Sequence, residues 1–122
     1  MGLTHSTAKS FKYAFQGLRT ALKNEPNFRI HIAFAIFALI LGLILGLDLI
    51  EWLFLTFTIF FVLVLELLNT VLEAVVNTTS PEVNPYAKIA KDVSAACVLM
   101  AAGMSIIVGI TLFLPKMIFL FK

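Results

Sequence analysis

Glu66, Asn69, Glu73 and Asn77 are the residues of this chain whose types and spacing best suit chemistry. Offsets of three, seven and eleven from Glu66 put all four on one face of a helix. They follow an almost unbroken apolar run from Trp52 to Leu65, so two carboxylates and two amides lie near or inside a segment that otherwise belongs in hydrocarbon. A charge at the centre of a membrane helix costs about 2.5–3.5 kcal/mol on insertion scales. A purely structural helix has no reason to carry that cost twice, and the stripe reads as an active site.

The other polar groups that could join it are Glu25, Tyr13, Arg19, Lys91 and Asp92. Carboxylates beside a lysine can hold Mg²⁺ together with phosphate oxygens, because Mg²⁺ takes one or two carboxylates plus substrate phosphates. Phosphoryl transfer further needs a cation on the transferred group and a base for the attacking hydroxyl. Glu66, the most deeply placed acid, suits a general base for an alcohol. The chain has no G-x-x-x-x-G-K-[ST] and no G-x-G-x-x-G, and no Ser–His–Asp set is evident. His5 and His31 are poor metal partners, and His31 reads as a polar residue at the entrance of a span. Three classes stay open on the residues alone: an enzyme, a transporter or channel lined by acids, and an assembly protein whose polar stripe joins helices.

The elements that must position this stripe are helices in a bilayer. Of the 122 residues, 61% are hydrophobic and 13% charged, more apolar side chain than a soluble domain of this size can hide. The single Cys97 excludes an internal disulfide and a cysteine metal cluster. The net charge of +2 speaks to topology rather than to nucleic acid. Residues 4–23 form an amphipathic surface helix, with Ala8, Phe11, Ala14, Phe15, Leu18, Ala21 and Leu22 on one face and Lys9, Lys12, Gln16, Arg19 and Lys23 on the other. Thr4 or Ser6 could cap it. Asn24-Glu25-Pro26-Asn27 breaks it.

Three spans follow, at about 30–47, 49–77 and 86–114, the last ended by Pro115-Lys116, and the whole of 1–122 reads as one domain. If Trp52 marks one interface, the hydrocarbon ends near Leu72, and Glu66 lies about 9 Å inside that boundary. Lys9, Lys12, Arg19, Lys23 and Arg29 precede the first span and Lys88 and Lys91 follow the second, which puts the amino terminus and the 78–92 loop in the cytoplasm.

Glu66-Leu-Leu-Asn-Thr-Val-Leu-Glu-Ala-Val-Val, followed by Ala90-Lys-Asp-Val-Ser-Ala-Ala-Cys-Val-Leu, closely resembles the small bacterial integral-membrane diacylglycerol and undecaprenol kinases. Gly17-Leu-Arg, Asn24-Glu25 and Phe28-Arg29 match the same family, so the resemblance covers almost the whole chain in the right order. It implies an ATP- and Mg²⁺-dependent lipid kinase in the bacterial inner membrane, a homotrimeric bundle with sites shared between subunits. By position, Glu66 matches the catalytic base and Glu25 and Glu73 the metal-binding acids. Tyr13, Asn69, Asn77, Glu82, Val83, Asn84, Lys91 and Asp92 fall where the family meets the nucleotide. Gly17, Arg19, Asn27, Phe28, Arg29, His31 and Ala95 fall on the lipid side. Asn77 stands where an aspartate is usual, and Ser6 where some members have arginine, with Lys9 nearby to supply charge. Asn24-x-x-Asn-Phe-Arg-Ile-His looks more like the branch that phosphorylates undecaprenol than the one that acts on diacylglycerol.

Overall fold

The computed structural model describes residues 6–80, 82 and 84–122; Thr4, His5 and Val83, named above, lie outside them. The protein is all-helical: α1 Thr7–Asn24, α2 Pro26–Leu45, α3 Leu49–Thr79 and α4 Pro85–Leu120. Helices α2, α3 and α4 are each long and apolar enough to cross a membrane. At 1.5 Å per residue α3 is roughly 46 Å long, so it overhangs a hydrocarbon core of about 30 Å.

Ser6 caps α1, its hydroxyl accepting from the Lys9 amide at 3.3 Å. Every described residue of α1 except Ala21 is exposed, including Phe11, Phe15, Leu18 and Leu22 on the apolar face. The break after α1 is shorter than Asn24-Glu25-Pro26-Asn27 suggests. Glu25 alone separates the two helices, and Pro26 is the first residue of α2, a position where its missing N–H costs nothing. Arg29, one turn into α2, sends Nη1 back to the Leu22 and Lys23 carbonyls at 2.8 and 2.9 Å. That contact satisfies carbonyls the end of α1 leaves open and places a cation at its negative pole.

Gly46 ends α2 with φ 74°, a left-handed conformation that glycine adopts without strain. Asp48 and Glu51 then form a reciprocal capping box at the start of α3. The most extensive helix contact is between α3 and α4. The core sits at this end of the bundle, where Leu47, Leu55, Leu112 and Phe113 pack together, flanked by Trp52, Leu41 and Val108. Gly42 lies so close to Trp52 that a Cβ there would stand 2.9 Å from the indole. Pro115 does not end α4, as the sequence suggests; the helix runs through it to Leu120. Lys116 just beyond it pairs with Glu51 of α3 at 3.1 Å. Only 11–17% of the most apolar stretch of each long helix is buried within the chain, so most of this apolar surface faces outward.

Candidate active site

The polar stripe of α3 runs from a buried Glu66 through half-buried Asn69 and Glu73 to an exposed Asn77. Glu66 is 4% exposed and, with Thr58, is one of two buried polar residues among those described. Thr58 and Thr70 settle their hydroxyls on α3 itself, donating to the Phe54 and Glu66 carbonyls at 2.7 and 3.2 Å. The Glu66 carboxylate has no such partner on its own helix. It meets His31 of α2, whose Nε2 lies 3.2 Å from Glu66 Oε1. Sequence reasoning gave His31 an interfacial role and missed this contact, since nothing in one sequence says which turn of α2 faces which turn of α3.

One turn further along α3, Asn69 donates from Nδ2 to Glu73 Oε1 at 3.4 Å and accepts from Ser94 Oγ of α4 at 2.7 Å. Ser94 was not singled out from sequence. Its hydroxyl fixes which way the Asn69 amide faces, because the oxygen is engaged by α4 and the NH₂ is left for the acid. At the end of the stripe Lys91 Nζ donates to Asn77 Oδ1 at 2.6 Å. An amide here orients the lysine without cancelling its charge, whereas an aspartate would do both. Asp92 pairs with Lys88 at 2.6 Å, on an exposed face of α4.

Glu25 and Glu73 are within electrostatic reach of the Glu66 carboxylate. The Glu25 side chain makes no capping bond although it stands at the start of α2. Neither Glu25 nor Glu73 is in an ion pair among the described residues. Among those residues no three of His, Cys, Asp and Glu converge on one point. Two acids outside any ion pair suit Mg²⁺ nonetheless, since it binds through one or two carboxylates and completes its shell with phosphate oxygens and water.

Other expected residues lie apart from this cluster or serve the fold. Gly17 and Arg19 are on exposed α1, and a Cβ on Gly17 would meet nothing. Tyr13 is 55% exposed on the same helix. Phe28 is 3% exposed at the foot of α2, near where α1 packs, while Asn27 is exposed. Asn84 caps α4, accepting from the Tyr86 and Ala87 amides at 2.8 and 3.4 Å. Glu82 and Ala95 are exposed. An apolar cavity of about 440 Å³ opens between α2, α3 and α4, with His31 the one titratable residue in its lining.

The sequence pattern of the family described as prokaryotic diacylglycerol kinase matches residues 12–113, a range that holds every residue of the cluster. The chain belongs to this family. It is 39% identical to the undecaprenol kinase of Bacillus subtilis (strain 168) over 109 residues, 89% of each chain. It is 41% identical to a diacylglycerol kinase of Synechocystis over 110 residues, 89% of this chain and 63% of that longer protein. To the Escherichia coli K12 diacylglycerol kinase it is 32% identical over 99 residues, 81% of each. With relatives named as lipid kinases, the buried Glu66 needs no transport path to account for it, and the transporter or channel reading is not favoured.

Proposed function

We propose that this protein is an ATP-dependent kinase of a membrane lipid alcohol, with undecaprenol the favoured substrate and diacylglycerol the next. The observation that carries the reading is a carboxylate buried well along an apolar helix, two turns from a second acid on the same face, with a lysine whose charge is not cancelled held at the end of that face. Family membership supplies the reaction class, and similarity to an undecaprenol kinase over 89% of both chains supports the substrate order.

In this reading the lipid enters from the bilayer with its hydroxyl at Glu66. Glu66 takes the hydroxyl proton as the alcohol oxygen bonds to the γ-phosphorus of ATP. The bond from that phosphorus to the β,γ-bridging oxygen breaks, and ADP leaves with the electron pair. Glu25 and Glu73 would hold Mg²⁺, which when bound neutralises charge on the phosphate oxygens. Asn69, pinned by Ser94, keeps Glu73 oriented. Lys91, held by Asn77, faces the phosphates with its charge intact, and Asp92, Tyr13, Glu82 and Asn84 border the nucleotide. Gly17, Arg19, Asn27, Phe28, Arg29 and Ala95 border the lipid.

The chain works as one domain over 1–122 in the bacterial inner membrane. Its amino terminus and the connection between α3 and α4 face the cytoplasm, so the polar ends of those two helices meet the nucleotide pool. It assembles as a homotrimer with sites completed between subunits, which would cover part of the apolar surface that α2, α3 and α4 leave exposed.

Protein in lipid bilayers, given ATP, Mg²⁺ and either undecaprenol or diacylglycerol, tests this reading. Lipid phosphate should form, faster from undecaprenol. Ion flux with no lipid phosphate from either alcohol would reject it.

A further inference from the structure

His31 touches Glu66, the one buried acid among the described residues, and also lines the apolar cavity between α2, α3 and α4. The neighbours of Glu66 on its own helix do not hold its carboxylate. Val62 and Leu63 are apolar, the Thr70 hydroxyl is spent on the Glu66 backbone carbonyl, and the Asn69 amide is shared between Glu73 and Ser94. An unheld carboxylate on a flexible side chain would sample several rotamers, only some of them aimed at a substrate. The one group that fixes it comes from another helix, and it engages one oxygen, Oε1.

We infer that His31 is a positioning residue for the Glu66 base: its Nε2–H holds Oε1 and leaves Oε2 to take the proton of the alcohol. When Glu66 is ionised, as a base must be, the nitrogen facing it carries the hydrogen, since a bare imidazole lone pair 3.2 Å from a carboxylate oxygen would repel it. Because α2 supplies the donor and α3 the base, the alignment of the reacting group depends on the packing of those two helices. This inference rests on the lipid kinase reading, for which Glu66 is the base, but it concerns a contact that can be read without turnover.

Three variants in bilayers separate the roles of His31. His31→Leu fills the volume without a donor and should lower kcat by about 10²-fold, the scale of a misplaced catalytic group, with KM for ATP unchanged. His31→Ala should behave like His31→Leu. His31→Gln carries an amide N–H and should recover most of the lost kcat. A His31→Leu protein with the parent's kcat, or a loss confined to KM for the lipid, would overturn the assignment. In protein labelled with ¹⁵N-histidine, the His31 Nε2–H signal should move in Glu66→Leu and stay in place in Glu73→Gln. A signal indifferent to Glu66→Leu would overturn the contact even if no lipid phosphate is formed, whereas a shifted signal in an inactive parent would leave the contact standing and reject the kinase reading.

Discussion

At the turn between α2 and α3, Asp48 accepts from the Glu51 amide at 2.8 Å, Glu51 accepts from the Asp48 amide at 3.1 Å, and Glu51 also pairs with Lys116. Each acid there is engaged by its own helix terminus, and Glu51 is also held by a cation from α4. In the other half of the bundle, among the described residues, Glu66 meets only His31, Glu73 meets only a long hydrogen bond from Asn69, and Lys91 faces an amide. The first set of acids is closed by local structure. The second is oriented by side chains from α2 and α4 but keeps oxygens and a positive charge in reserve. The contrast separates Asp48 and Glu51, which close a helix terminus, from Glu66 and Glu73, which in the lipid kinase reading are held ready for a ligand.

Neutralising acids one at a time is the sharpest way to break that comparison. Glu73→Gln should lower lipid phosphorylation by about 10²-fold, the few kcal/mol a metal ion contributes to transition-state charge, with part of the loss recovered at raised Mg²⁺. Glu51→Gln should leave turnover per folded molecule unchanged; an equal loss at both positions would erase the distinction. Next in size, Lys91→Ala should raise KM for ATP by about tenfold, in line with a hydrogen bond to a charged group. An unaltered ATP response would remove Lys91 from the nucleotide site.

Ser94→Ala sharpens the picture on a smaller scale. It frees the Asn69 amide to turn, at the cost of about one neutral hydrogen bond, and should slow turnover about two- to tenfold. At the opposite end Gly42→Ala drives a methyl against the Trp52 ring and should cost about 1–3 kcal/mol of stability with activity per folded molecule intact. Thermal unfolding beside turnover separates the two cases.

The smallest effect is electrostatic. The backbone N–H of Glu51 holds the Asp48 carboxyl below its usual pKa. A group depressed in the folded state adds stability above its unfolded pKa of about 3.9 and loses it as pH falls through the folded value. Melting temperatures of the parent and Asp48→Asn should therefore differ near neutral pH and converge in acid below about pH 4.

How much of this was legible in the sequence follows from the range of the interactions. The stripe on α3 shows itself because helical spacing and apolar context both lie within one segment. The three long helices and the surface helix show themselves for the same reason. The His31–Glu66 and Ser94–Asn69 contacts do not, because each joins two helices whose rotation about their axes is set by packing. Pro26 and Pro115 mislead in a regular way. Proline breaks a helix interior but suits the first turn, and in an apolar helix it is tolerated where neighbouring groups re-satisfy the backbone. So Pro26 opens α2 and Pro115 is carried within α4.

Glu66 is where the account stands or falls. Phosphate transfer from ATP to undecaprenol, measured on Glu66→Gln beside the parent in the same bilayers, should be lower by at least about 10³-fold while the variant elutes as the parent does in detergent. A folded Glu66→Gln protein that makes lipid phosphate at the parent's rate would contradict it.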